Sequence, residues 1–341
     1  MSDDIAERLV DALMRPDGSA ALRPVHATGN GASGSFAPSD IAQQYCTARH
    51  FRADAAPVRA VVRFSNGSGS ATRRDGWSDV RGMATRFHLD DGSATDLIAM
   101  TLREFFAPDA ETFLAFAIEA KPEPFPRPSA WSKICDYLHL TPPIRDAYPG
   151  EAIRPDEGAM RFADQHDYAQ LAVFEAAAIG APVSYARAAY HAVHTFIVTA
   201  PDGTRRWVRF SWEPTVGVLN TDPRETPVNR YLEGELRDRI AQQPVSFNLM
   251  MVLGEIGDSF DDPTRPWPPH RPRIFMGTLT LDTIIDEASS QRLNFNPWLL
   301  TDGIAPSNDP VLAVRRDAYL ISGQRRGADL CPFARSQDDA Q

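Results

Sequence analysis

No run of apolar residues in this 341-residue chain approaches the ~18 or more that a membrane-spanning helix needs. Cysteine is scarce, with only Cys46, Cys135 and Cys331, odd in number and far apart. They form neither a disulfide framework nor a metal-ligand spacing, so a reducing, cytoplasmic home is expected. Basic charge is also short, with 35 Lys and Arg against 45 Asp and Glu and a net charge of -10. A phosphate backbone demands a basic surface, so no nucleic-acid partner is expected. The opening Met1-Ser2-Asp3-Asp4 lacks the basic and apolar regions of a secretory signal. There is no internal repeat and no clear linker. What is present is ordinary for a globular protein, 43% hydrophobic and 23% charged. The 28 prolines point to loops and short elements rather than a helical bundle.

Taken in order, residues 2 to 15 read as an amphipathic helix with Ile5, Leu9 and Leu13 along one face, ended by Pro16. Residues 16 to 40, rich in Gly, Ser, Ala and Pro, read as extended or looped. Val58 to Ser65 alternates as a strand, with Arg59, Val61, Arg63 and Ser65 on one face. Asp79 to Phe87 leads into a second strand, and Asp96 to Phe106 reads as a strand and bend. Pro108-Asp109 opens a helix. Residues 121 to 165 are proline-rich, with one short helix expected near Trp131 to Leu138. Further on come a helix from Tyr168 to Ile179 and a hairpin, Tyr190 to Thr199 with Thr204 to Trp212. A helix from Tyr231 to Gln242 precedes strands at Val245 to Leu253 and Ile274 to Leu281. The strands are too many and too hairpin-like for a doubly wound sheet. The expected class is α+β, an antiparallel β-barrel with flanking helices. The expected division is an N-terminal helix and arm over residues 1–19 and one domain over 20–341.

The last helix, Asp309 to Arg326, carries the most chemistry. Asp309 suits the N-cap and Pro310 the first helical position. Arg315 and Tyr319 are four residues apart and share one face. A free phenol is neutral at pH 7, but a guanidinium within hydrogen-bond reach favours the phenolate. A phenolate is a hard anionic ligand, and tyrosine is one of the few protein ligands of haem iron. On this stretch alone, a packed tyrosine beside a surface ion pair stays open.

Several segments then occur in an order that resembles the haem catalases. They are Arg23-Pro24-Val25-His26-Ala27, Val62-Arg63-Phe64-Ser65, Asp79-Val80-Arg81-Gly82-Met83-Ala84, Asp96-Leu97 and Phe105-Phe106. His194-Thr195-Phe196, Pro263-Thr264-Arg265-Pro266-Trp267-Pro268 and Arg315 through Tyr319 complete the set. The resemblance spans roughly residues 20 to 330, and the chain is identified as a member of the small catalase-related group. It implies a catalase-like barrel without the C-terminal helical domain of full-length catalases.

The resemblance also implies roles. His26 matches the distal acid–base histidine and Ser65 the serine that orients it. Tyr319 matches the proximal iron ligand and Arg315 the arginine that keeps it ionised. His194 and Asp309 match the relay behind that arginine. Arg23, Arg63 and Arg326 match the arginines of the haem propionates, and Phe113 a distal phenylalanine. The cofactor implied is haem b, iron protoporphyrin IX. The other histidines, His50, His88, His139, His166, His191 and His270, match no motif position and read as structural.

One departure stands out. Met100 and Thr101 occupy the positions of an asparagine pair, and Thr101 is matched to the distal hydrogen-bond donor. One hydroxyl replaces an amide with two N–H donors, which argues against efficient disproportionation of hydrogen peroxide. The expected activity is a peroxidase taking hydrogen peroxide or organic hydroperoxides with an organic reductant. The alternatives are a hydroperoxide isomerase or dehydratase of the allene oxide synthase kind, and a non-enzymatic haem-binding protein. Expected partners are a small-molecule peroxide and an organic reductant, with no membrane span; a homodimer is allowed.

Overall fold

Period-two alternation builds the central element. Strand β2 (Val58–Asn66) sends Val58, Ala60, Val62 and Phe64 into one apolar core and turns Arg63 and Ser65 to the opposite side. Strands β3 (Arg81–His88) and β4 (Ala94–Met100) do the same, with Met83, Phe87, Leu97 and Ala99 inward. Every strand pairing is antiparallel. The computed structural model describes residues 2–14, 22–52, 56–69, 74–120, 138, 158–222, 224–225 and 227–329.

The remaining strands are β1 (Gly31–Pro38), β5 (Tyr190–His191), β6 (Phe196–Thr199), β7 (Arg205–Pro214), β8 (Val245–Leu253), β9 (Arg273–Ile285) and β10 (Ile304–Pro306). They run in the order β10-β6-β7-β5-β4-β3-β2-β1-β9-β8, and a β7–β8 pairing closes the ring. Eight strands therefore form a closed antiparallel barrel, with β6 and β10 extending it beyond β7. Closure leaves no edge in the ring to pair with another chain. The interior is filled by large side chains, among them Phe36, Phe64, Phe87, Trp212 and Phe247, all fully buried. Each contributes on the order of 1.5–3 kcal/mol by leaving water.

The helices are α1 (Ser2–Leu13), α2 (Ala42–Tyr45), α3 (Ala110–Glu119), α4 (Gly158–Gln165), α5 (Asp167–Ala178), α6 (Tyr231–Gln242), α7 (Glu287–Arg292) and α8 (Pro310–Arg325). A second apolar cluster lies outside the barrel. It joins Ala6, Leu9 and Val10 of α1 to Phe113 of α3, Val311 and Val314 of α8, and Val193. The barrel wall thus has apolar packing on both faces, which is why β2 is buried almost throughout. No helix among the described residues is long and apolar enough to cross a membrane.

Strand β1 lies inside a stretch that the sequence marks only as extended or looped. It reads Gly-Ala-Ser-Gly-Ser-Phe-Ala-Pro and carries no apolar alternation. Its small residues answer a packing need, since a Cβ at Gly34 would stand 1.9 Å from the Thr280 carbonyl oxygen. The expected hairpin at 190 to 212 is interrupted, because β5 covers only two residues before β6 begins at Phe196. The short helix expected near 131 to 138 falls outside the described residues, save Leu138.

One buried ion pair ties the barrel to the loop before α8. Arg86 Nε and Nη2 donate to the two oxygens of Asp96 at 2.8 and 2.7 Å, and the Asn296 N–H donates to Asp96 at 2.8 Å. The Asp96 side chain has no solvent exposure. Arg86→Leu strands that carboxylate, and urea unfolding should show a loss of about 3–5 kcal/mol. Arg325→Ala, which removes solvent-exposed pairs to Glu7 and Asp11 of α1, should cost no more than about 1 kcal/mol.

Candidate cofactor and active site

A cavity of about 760 Å³ lies between the outer face of β2–β5 and helices α1, α3, α4, α5 and α8. That is toward the large end of the ~300–1,000 Å³ typical of ligand and cofactor pockets. Arg23, His26, Arg63, Ser65, Phe113, Arg315, Tyr319 and Arg326 all line it. Eight of the residues that the sequence singles out are therefore brought together from both ends of the chain.

Helix α8 supplies one wall. Asp309 caps it, with Oδ1 accepting from the N–H groups of Val311 and Leu312 at 2.8 and 3.1 Å. Its other oxygen, Oδ2, lies 2.6 Å from His194 Nδ1. Asp309 thus caps the helix with one oxygen and meets His194 with the other. Arg315 Nη1 is 2.6 Å from His194 Nε2, and Arg315 Nη2 donates to the Tyr319 hydroxyl oxygen at 2.7 Å. A guanidinium can only donate, so His194 Nε2 accepts and Nδ1–H donates to Asp309. That is the neutral tautomer. Burial, the largest cause, and the Arg315 charge lower the His194 pKa, against the pull of Asp309. The result is a continuous chain from Asp309 through His194 and Arg315 to Tyr319. His194 and Asp309 do not line the cavity; they hold Arg315 from behind. Among the described residues no three His, Cys, Asp or Glu side chains cluster to hold a bare metal ion.

His26 supplies another wall. Its backbone has φ +57°, a strained conformation for a residue with a side chain, held by its N–H donating to the Gly67 carbonyl. Nδ1 lies 2.9 Å from Ser65 Oγ, which leaves Nε2 as the free ring nitrogen. Gly82, paired with Ser65 across β2 and β3, makes room for the ring. A Cβ there would stand 2.9 Å from His26 Cε1 and Nδ1. Burial, helped by the charges of Arg63, Arg315 and Arg23, lowers the His26 pKa to about 3. The imidazole is therefore neutral at pH 7.

Two of the three expected arginines meet Gln291 of α7, and the third shares an acceptor with it. Arg23 Nη1 donates to Gln291 Oε1 at 2.7 Å, and Arg326 Nη1 donates to the Gln291 carbonyl at 2.6 Å. Arg63 Nη2 and Gln291 Nε2 both donate to the Ala27 carbonyl at 3.2 Å. Arg23 and Arg326 also share the Leu293 carbonyl. None of the three donates to a carboxylate in these bonds, and Nε of Arg63 and of Arg326 is buried without a partner. Burial and the charges of Arg63 and Arg326 press the Arg23 pKa down to about 7. Three guanidiniums gathered so closely fit an anionic ligand, and two carboxylates would be the natural complement.

Phe113 follows a capping box formed by Asp109 and Thr112, and its ring meets Phe105 edge-on at 5.0 Å. Thr101 is placed otherwise than expected. Its hydroxyl accepts the Arg81 N–H at 3.0 Å, and it is not among the cavity-lining residues. Met100 lines the cavity instead. Thr101 lies just past the end of β4, and its hydroxyl turns to the Arg81 backbone. Expectation also missed Gln291, which sits in a six-residue helix with no periodic signal, and His191, which lines the cavity beside Met100.

The catalase family model matches residues 18–147 and 161–329. A catalase-related peroxidase of Mycolicibacterium paratuberculosis is 31% identical over 337 residues, covering 96% of this chain and 97% of that protein. A catalase-related peroxidase of Synechococcus elongatus is 28% identical, covering 88% of this chain and 82% of its own length. A fungal catalase structure superposes with a TM-score of 0.71 at 22% identity, covering 92% of this chain and 62% of that one. A bacterial catalase structure gives a TM-score of 0.72 at 20% identity, with 90% and 58% covered.

Burial lowers the pKa of His26 and His50 to about 3 and that of His191 to about 4. Below pH 6.5 the unfolded chain binds a proton at each, while the native state does not. Stability is therefore fully present above pH 6.5 and falls as pH drops toward 4, by about 1.4 kcal/mol per pH unit for each histidine. Urea titrations at pH 7 and pH 5 should differ by several kcal/mol; equal midpoints would contradict the neutral, buried state of these rings.

Proposed function

The chain belongs to the catalase family, and on that ground we propose that it is a haem b-dependent peroxidase, reducing hydrogen peroxide or an organic hydroperoxide with electrons from an organic donor. It is an oxidoreductase acting on peroxide. The observation that carries the finer reading is one cavity lined by both a guanidinium-bound phenol and a neutral imidazole. The residues fit haem. Tyr319 would be the iron ligand, Arg23, Arg63 and Arg326 would hold the propionates, and Phe113 would pack beside the macrocycle. When bound, the haem iron supplies the redox chemistry that breaks the peroxide O–O bond.

The protein's own part is binding and proton handling. His26 Nε2 accepts the proton of one peroxide oxygen and returns it to the other, so that water or an alcohol leaves. Ser65 fixes the ring through Nδ1 during both transfers. Arg315 donates to the Tyr319 oxygen, a charge-assisted bond that fixes where that oxygen faces the cavity. His194 and Asp309 keep Arg315 in place.

Met100 sets the balance between donor oxidation and dioxygen release. Disproportionation needs a second peroxide molecule to be held and oxidised, and peroxide is too small to be held by apolar burial. A thioether donates no hydrogen bond, and Thr101 does not line the cavity. An organic donor does not depend on that contact. An oxygen electrode run beside a dye-oxidation assay tests this. At low peroxide the wild-type protein should oxidise dye faster than it releases dioxygen, and Met100→Asn should raise dioxygen release severalfold. Dioxygen release outpacing dye oxidation in the wild type, or no gain in the variant, would contradict the reading.

A further inference from the structure

Four residues form a ladder across the cavity wall. Ser65 pairs with Gly82, Gly82 with Met100, and Met100 with His191. All four line the cavity. His26 occupies the space that a side chain at Gly82 would fill. His191 therefore stands two strands from His26, roughly 9–10 Å away, with the Met100 thioether between them.

The half-buried His191 ring makes no side-chain hydrogen bond among the described residues. Its neighbours on this wall are apolar, since Met100 packs into a cluster with Phe105, Phe106, Phe113 and Val193. Its ring nitrogens face a cavity in which the protein offers them no partner. A ligand in the cavity can supply the missing partner. A neutral imidazole presents one donor and one acceptor, and burial keeps this ring neutral. A hydroxyl matches it in both senses, whereas an ammonium has no acceptor to offer. The charges of Arg103 and Arg273 bear on His191 as well and disfavour a cation there. The apolar surroundings favour an aromatic ring behind that hydroxyl. Thioether sulfur and phenyl edges both make favourable aromatic contacts. A peroxide bound at His26 cannot also reach His191, so the two imidazoles serve different molecules.

We propose that His191, with Met100 and the Phe105–Phe106 wall, forms a second subsite in the cavity that binds the hydroxyl of a phenolic electron donor. The subsite rests on the peroxidase reading for its purpose but not for its existence, and its test separates the two.

Phenol and toluene are titrated calorimetrically against the purified protein without peroxide. Wild-type protein should bind phenol about tenfold more tightly than toluene. His191→Leu should remove that preference with little change for toluene, and His191→Gln, which keeps a donor and an acceptor, should restore part of it. Phenol should also shift the imidazole NMR signals of His191. In turnover, the ratio of the KM for phenol to the KM for tetramethylbenzidine, which has no hydroxyl, should rise about tenfold in the Leu variant. Equal phenol affinity in wild type and His191→Leu would overturn the subsite, even in an active peroxidase. A His191-dependent preference in a protein that oxidises no donor would uphold the subsite and overturn the peroxidase reading instead.

Discussion

The Arg315 guanidinium is the contact on which the site depends. It faces the Tyr319 oxygen with one amino group and His194 with the other, at 2.7 and 2.6 Å. Its position is set twice, by the i to i+4 geometry of α8 and by the His194–Asp309 pair behind it. Asp309 in turn starts the helix, so the group that places Tyr319 in register also orients the arginine that polarises it. A change at any of these four side chains would be felt at the phenol oxygen. The carboxylate also costs the helix nothing, because its two oxygens divide the work between the N-terminal amides and the imidazole.

The barrel wall does the rest by parity. Inward residues fill a core of aromatic rings, and outward residues meet the cavity. A single missing side chain, at Gly82, admits the His26 ring, and a strained backbone at His26 delivers it. The three arginines are different in kind. They are held by carbonyls and by one glutamine, with charge left uncompensated at an end of the cavity. Such a cluster suits an anionic ligand better than an empty cavity.

Much of this was legible in the sequence. Periodicity placed β2, β8, α6 and α8 within a residue or two of where they lie, and the Arg315–Tyr319 spacing put both on one helix face. Ordered motifs named His26, Ser65 and the arginines, which the fold then gathered into one cavity. What was not legible came from long-range packing. β1 has no apolar pattern because its small residues answer to the backbone of β9. His191 matches no motif position, and its place on the cavity wall depends on Met100, which pairs with it from 91 positions away in sequence. Motif position points to Thr101 as the distal donor, whereas Met100, not Thr101, lines the cavity. The hydroxyl of Thr101 meets the Arg81 backbone, a contact that motif order does not show.

The central claim is that the Tyr319 oxygen, polarised by Arg315, holds an iron porphyrin. Resonance Raman spectroscopy of the haem-loaded protein tests it most directly, comparing ordinary protein with protein grown on ring-deuterated tyrosine. The account predicts tyrosinate ring modes enhanced through the iron, shifting with the label and absent from Tyr319→Phe. A haem spectrum with no label-sensitive mode, or one unchanged in the Phe variant, would contradict it.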